Sequence, residues 1–251
     1  MGALALVNPG SSFADRGLEL LEKLEYRRAD SEEDREAIFR FRYRCYLDEG
    51  AIEPNPEERF TDHYDELGGT WLIGVFLDGQ IVASKRVNVA TAEFPELPAM
   101  WAFREEVQPL LDAGQVVIDP TRLTVDRHVS REYPQLAYMA ARIGWMAGEY
   151  FQANTILATL RREHYAFYQR VFNAHAICEP RHYPTLTKPL GLMALDYSAE
   201  RDRVNARYPF FRSTAAERRA MFERFQYPKV AKERVPMRVA APLIPALVGI
   251  R

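Results

Sequence analysis

The run VVIDPTRLTVD, Val116 to Asp126, leaves few folds open to this chain. Val116, Val117, Ile118, Leu123 and Val125 are apolar and largely β-branched, the mark of a strand inside a sheet. Asp119, Thr121 and Arg122 interrupt that run. Charges there are costly to bury unless they are paired or used. The run therefore predicts an interior strand, Val116 to Val125, that lines a site. On a regular strand Asp119 and Thr121 share one face and Arg122 points to the other. All three converge only if the strand is bulged or twisted.

The flanking segments supply a sheet and its cover. Leu24 to Ala29 reads as a strand, followed by Ser31 as an N-cap with Glu32, Glu33 and Asp34 in the first turn. The helix then continues through AIFRFRYRCYL, with Ile38, Phe41 and Cys45 on one stripe and Arg40, Arg42 and Arg44 on the others. TWLIGVFL and QIVASKRVNV form a hairpin across Asp78-Gly79. Pro98 to Leu111 predicts a helix, weakened by Pro109. Gln135 to Phe151 predicts a buried helix whose small face (Ala140, Gly144, Ala147, Gly148) approaches the sheet closely. Strands over Thr155–Leu160, near Ala174–Glu179 and over Gly191–Tyr197 complete the sheet, with a helix over HYAFYQRVF. Thr214 to Glu217 is a capping box. This order predicts an α/β protein with a mixed central sheet and helices on both faces. Residues 1–23 read as an N-terminal extension, 24–197 as the main domain, and 198–251 as a helical C-terminal extension with an apolar, proline-broken tail.

Composition narrows the function. A formal charge of −2 gives no electrostatic case for nucleic acid. Cys45 and Cys178 read as reduced core residues, and no Cys or His spacing suits a metal, so none is expected. With no basic-plus-apolar leader and no stretch of spanning length, a cytoplasmic protein is the expectation. The apolar C-terminal tail is read as docked and leaves membrane contact open.

Several motifs resemble the GNAT acyltransferase fold (acyl-CoA N-acyltransferases). FRYRCY, Asp62-His-Tyr-Asp65, Ser84-Lys-Arg86 and Asp119-Pro-Thr121-Arg122 follow the pattern of acyl-homoserine-lactone synthases. Asp119 stands for that family's glutamate and Thr121 for its serine. Ile52 stands near the place of an expected tryptophan, which counts against adenosylmethionine as substrate. IDPTRLTVD, LAYMAARIGWMA, LATLRREHYAFYQRVF and EPRHYPTLTKPLGLMALDY further resemble long-chain N-acyl amino acid synthases, including N-acyltyrosine synthase. The resemblance covers roughly Tyr26 to Tyr197. It implies transfer of a fatty acyl group from acyl carrier protein to the amine of an amino acid, with phosphopantetheine arriving on the donor and no resident cofactor.

Amide formation needs a neutral amine and a held thioester. Asp119 is read as the base or water-orienter; the alternative is a buried clamp with Arg122 or Arg86. Arg122 is grouped with it as a catalytic candidate or as an organiser of Asp62 and Asp65. Tyr168 matches a tyrosine that protonates the leaving thiolate in many GNAT enzymes, or else packs with a hydroxyl handle. Arg86 is the candidate for the acceptor's carboxylate. Asp62 and Asp65 are candidates for its ammonium, and Thr121 and Thr124 for substrate contacts. Arg40, Arg42 and Arg44 are candidates for the acidic carrier protein. The segment DRHVSREYP, glycine-free where a pyrophosphate loop is expected, reads as a loop and favours a carrier over coenzyme A. An apolar tunnel is expected between the site strand and Thr155–Leu160. Alternatives of other kinds are an acyl-homoserine-lactone synthase, an acetyl-CoA transferase and a non-catalytic acyl-binding module.

Overall fold

The computed structural model describes residues 11–224. Helix α1, Phe13–Lys23, opens with a capping box in which Ser12 accepts from the Asp15 N–H and Asp15 accepts from the Ser12 N–H. The sequence expectation of a bare N-terminal extension omitted this helix. Strand β1, Leu24–Arg28, leads into α2, Glu32–Asp48, where Ser31 caps the Asp34 N–H as its position before an acidic turn predicts. The hairpin of β2, Thr70–Leu77, and β3, Gln80–Ala90, turns at Asp78-Gly79, both with positive φ. That conformation suits Asp and Gly and fixes the register. Helix α3, Met100–Asp112, retains Pro109 but is kinked at Phe103.

The predicted site strand is broken into β4, Val117–Asp119, and β5, Thr124–Val125. Both pair with β3. The segment expected as a loop forms a short helix, α4, Arg127–Glu132, because the Asp126 carboxylate caps it. Helix α5, Leu136–Tyr150, is followed by β6, Thr155–Leu160, and α6, Tyr165–Phe172. The strand expected near Ala174–Glu179 shrinks to β7, His175–Ala176, on the sheet edge beside β8, Gly191–Asp196. Helices α7, Tyr197–Arg207, and α8, Ala215–Phe222, follow; the Thr214 capping box forms as its sequence predicts.

The eight-stranded sheet runs β1-β2-β3-β4-β6-β8-β7, with β5 extending β4 along β3. All pairings are antiparallel except β4 with β6. That parallel pair holds only at Val117↔Thr155 and Ile118↔Ile156. Beyond it the two strands diverge into a wedge in the middle of the sheet. Helix α5 packs on one face, where Val87, Ile118 and Ile156 join Met139, Ile143 and Ala147. Helix α3 packs on the other, where Ala90, Val117 and Leu157 meet Met100, Phe103 and Val107. The small face of α5 does approach the sheet closely: a Cβ on Gly144 would lie 2.9 Å from Pro120 Cβ. Cys45 and Cys178 are free thiols, but both are half-buried and neither belongs to the deep core.

Candidate active site

The broken strand is a bulge. Between the pairs Asn88↔Asp119 and Ser84↔Thr124, the β3 residues Lys85, Arg86 and Val87 face Pro120, Thr121, Arg122 and Leu123. The surplus residue is absorbed at Arg122, whose φ of 52° is rare for a side-chain-bearing residue. The Arg86 N–H still donates to the Thr121 carbonyl at 3.0 Å. The bulge rotates Arg122 onto the side that Asp119 and Thr121 face, against the expectation for a regular strand.

There the side chains form a buried charge network. Arg42 donates to Asp65 Oδ1 at 2.8 Å, and Arg86 Nη1 lies 3.2 Å from the same oxygen. Arg86 Nη1 also donates to Asp62 Oδ1 at 2.5 Å, and its Nε donates to Thr121 Oγ1 at 2.9 Å. Arg122 Nη2 donates to Asp62 Oδ2 at 2.6 Å, with its guanidinium 4.1 Å from the Phe60 ring centroid. Asp65 Oδ2 accepts from Thr61 Oγ1 and the Asp62 N–H. Burial opposes ionisation of Asp62 and Asp65, but Arg86 with Arg122, and Arg42 with Arg86, outweigh it and hold both carboxyls below their usual range.

This network corrects three sequence expectations. Asp62 and Asp65 spend all four oxygens on internal partners and present none to an acceptor's ammonium. Arg86 has Nε and Nη1 committed inside, so it is no open carboxylate clamp. Arg42 is fully buried and has no surface to offer a carrier protein, whereas Arg40 and Arg44 on the same helix are exposed. The helical spacing that places Arg42 between two exposed arginines also turns it toward β3.

Asp119 is fully buried on the same side of the sheet. Its Oδ2 accepts from the Ala99 N–H at 2.8 Å, and its Oδ1 is buried without a partner. Burial pushes its carboxyl up to about 6, against the opposing Ala99 hydrogen bond and the charges of Arg86 and Lys85. Tyr183, which donates to the Pro98 carbonyl at 2.9 Å, and Tyr64 also feel the Asp119 charge. Lys85 is the residue that sequence reasoning passed over. It is 2% exposed, and burial brings its amine down to about 7. A lysine between Ala83 and Val87, on the strand face that packs under α5, is the signal that could have found it.

A cavity of about 470 Å³ fills the wedge, lined by the bulge residues Pro120–Val125 and by Ala158–Arg161 of β6. It lies where the tunnel was expected. Tyr168 of α6 is on its wall, its hydroxyl held protonated by burial first and by Tyr46 second. Thr121 and Thr124 are on the opposite wall, and Thr124 donates to the Arg122 carbonyl at 3.1 Å. Asp119 is fully buried and does not line the cavity. At the mouth, Cys45, Glu49, Val125 and Arg127 are shared with a second hollow of about 560 Å³ that Arg40 and Arg44 flank. Among the described residues no cluster suits a metal, and no helix is long and apolar enough to cross a membrane.

Comparison with known proteins fits this geometry. The sequence profile of the FeeM N-acyl amino acid synthases matches residues 37–196. No curated protein sequence matches the chain. Among solved structures, the chain is similar to FeeM, an N-acyl amino acid synthase from uncultured soil microbes, at 16% identity and a TM-score of 0.60, over 71% of this chain and 93% of that one. It is also similar to BjaI, a CoA-dependent acyl-homoserine lactone synthase, at 17% identity and a TM-score of 0.52, over 79% of this chain and 87% of that one. A third is the acyl-homoserine lactone synthase LasI, at 11% identity and a TM-score of 0.52, over 69% and 89%.

Proposed function

The chain belongs to the FeeM N-acyl amino acid synthase family, and from that premise we propose that it moves a long-chain fatty acyl group from acyl carrier protein to the amine of a free amino acid. The amine nitrogen attacks the thioester carbonyl, the amide C–N bond forms, and the C–S bond breaks to release the carrier's thiol. Asp119 accepts the proton that the amine loses, relayed through water. A carboxyl raised to about 6 by burial is ionised at neutral pH yet basic enough for that task. Tyr168, protonated and on the cavity wall, supplies the proton that the thiolate takes up. The buried Arg42–Asp65–Arg86–Asp62–Arg122 chain fixes the bulge that carries Thr121 and Thr124 into the cavity wall.

The observation that carries the donor assignment is at Asp126. Its carboxylate accepts from the His128 and Val129 N–H groups at 2.8 and 3.0 Å. In a coenzyme A site, free N–H groups after this strand would hold the pyrophosphate. Here an acidic side chain already occupies them, and repels an anion as well. A donor that brings phosphopantetheine without adenosine diphosphate avoids the conflict. The exposed Arg40 and Arg44 beside the cavity mouth suit an acidic carrier. BjaI is named CoA-dependent, so the donor is where this chain is proposed to differ from it. The apolar C-terminal tail lies outside the described residues.

The test is a competition between matched long-chain acyl carrier protein and acyl-CoA with one amino acid acceptor. A preference for the carrier of about tenfold or more in kcat/KM, or roughly 1.4 kcal/mol, is expected. Equal use of both donors would remove the carrier assignment and leave the N-acyl transfer intact.

A further inference from the structure

Among the described residues three large apolar side chains stand in solvent, Leu18, Phe94 and Trp101, and the last two belong to one short segment. Residues 92–96, between β3 and α3, are exposed throughout. Phe94 is 70% accessible, in a tight turn that its backbone closes with Thr91. Trp101 follows in the first turn of α3, its ring centroid 5.6 Å from that of the exposed His63 and 5.8 Å from that of Tyr64. Tyr64 links the two parts of the segment, because its phenol also feels the charge of Glu96. Glu93 and Glu96 flank Phe94, and Glu105 lies four residues after Trp101, on the same side of α3. All three are exposed, and among the described residues none is ion-paired; Arg104 is the cation between them. Single exposed apolar residues are ordinary, but an aromatic patch rimmed by charge marks an interaction surface.

The described part of the chain ends close to this patch. Arg224 donates to the carbonyls of Gly68 and Thr70, with its guanidinium 4.4 Å from the Trp71 ring centroid. Thr70 Oγ1 in turn donates to the Tyr64 carbonyl at 2.7 Å. Residues 225–251 span up to about 90 Å when fully extended, at ~3.3 Å per residue, so reach alone excludes no face. Their sequence is more selective. Lys229, Lys232, Arg234 and Arg238 outnumber Glu233, and residues 239–250 carry no charge. Pro242 and Pro245 enclose Leu243 and Ile244. That P-x-x-P spacing suits an extended polyproline helix laid on aromatic rings, and the preceding cations complement an acidic rim. We propose that this basic, proline-broken tail docks on the Phe94–Trp101 face of its own chain, with its cations against Glu93, Glu96 and Glu105. So placed, it covers the first turn of α3, beside the Ala99 N–H that holds Asp119. The proposal is independent of the reaction assigned to the cavity.

The decisive experiment places a photoreactive benzoylphenylalanine at position 94 of the full chain, where the exposed ring tolerates the exchange, and maps its cross-links by mass spectrometry. The expected product is a link within one chain to a peptide from residues 229–250. Two further pairs of substitutions separate docking from the chance collisions of a tethered segment. Glu93→Lys with Glu96→Lys reverses the rim, and Pro242→Ala with Pro245→Ala removes the extended spacing. Each pair is expected to lower the cross-link yield about fivefold, the scale of losing one or two exposed contacts. A yield that ignores both pairs is a chance collision and overturns the proposal. So does a link to another segment of the chain, or the absence of any link. Links between two chains, seen as dimers on a denaturing gel, would assign the face to a second copy and also overturn it.

Discussion

At the scale of single residues, the site holds two kinds of buried carboxyl with opposite settings. Asp65 is surrounded by donors and stays ionised; Asp119 is short of them and holds its proton up to about pH 6. Asp119→Asn keeps the shape and removes the base. It is expected to lower kcat by about 10²–10⁴-fold while leaving KM for the donor near its wild-type value, as steady-state kinetics would show. The wild-type rate should rise with pH through about 6, because the working form is the carboxylate. Asp65→Asn acts on the fold instead. It leaves Arg42 and Arg86 partly unpaired in the interior, and a loss of about 3–5 kcal/mol in urea unfolding is expected. The burial of Asp119 was legible in the sequence, since an acid inside a β-branched run lies in the interior of the sheet. The confinement of Arg42 was there to be read and was missed: it follows Ile38 by four positions, so it lies on the stripe of Ile38, Phe41 and Cys45 and away from Arg40 and Arg44.

Elements explain why these residues meet. The sequence shows Thr121 and Arg122 one apart and therefore on opposite faces; the bulge at Arg122 cancels that rule and gathers both around Asp62 and Arg86. No turn signal marks it, since the positive φ falls on an arginine and not on glycine or asparagine. The hairpin at Asp78-Gly79, the capped start of α2 and the boundaries of β6 were legible because local chemistry determines each. The wedge was half legible: both strands could be read, but the point where their pairing stops depends on what packs beneath them. Part of that packing is the small face of α5. Gly144→Val would place side-chain carbon against Pro120 and Lys85. A cost of about 1–3 kcal/mol from overpacking is expected in thermal or urea unfolding, together with reduced activity, because Pro120 lines the cavity.

For the molecule as a whole, two buried ionisable groups, Lys85 and Asp119, should each leave a pH signature on stability. Lys85 has a folded-state pKa of about 7 against an ordinary 10.5. Below about 7 it is charged in both states and its burial penalty is complete. Between about 7 and 10.5 the unfolded chain binds more protons, so this group's contribution to stability improves as pH rises. Asp119 runs the other way. With about 6 folded against 3.8 ordinarily, it favours the folded state at low pH and loses that advantage between about 4 and 6. Lys85→Met is therefore expected to be more stable than wild type near pH 6.5, by on the order of 1–3 kcal/mol. The gain should shrink toward pH 10.5 in parallel urea titrations. A gain independent of pH would mean that Lys85 is not a depressed, buried amine.

The cavity where β4 and β6 part, with the buried Asp119 nearby, is proposed to be where a fatty acyl group is joined to an amino acid. The most direct measurement incubates the purified protein with long-chain acyl carrier protein and a mixture of free amino acids, and reads the products by mass spectrometry. A new N-acyl amino acid is expected, one that disappears with Asp119→Asn and appears together with free carrier thiol. Absence of any N-acyl product with acyl carrier protein, when acyl-CoA and adenosylmethionine are also supplied in turn, would contradict it.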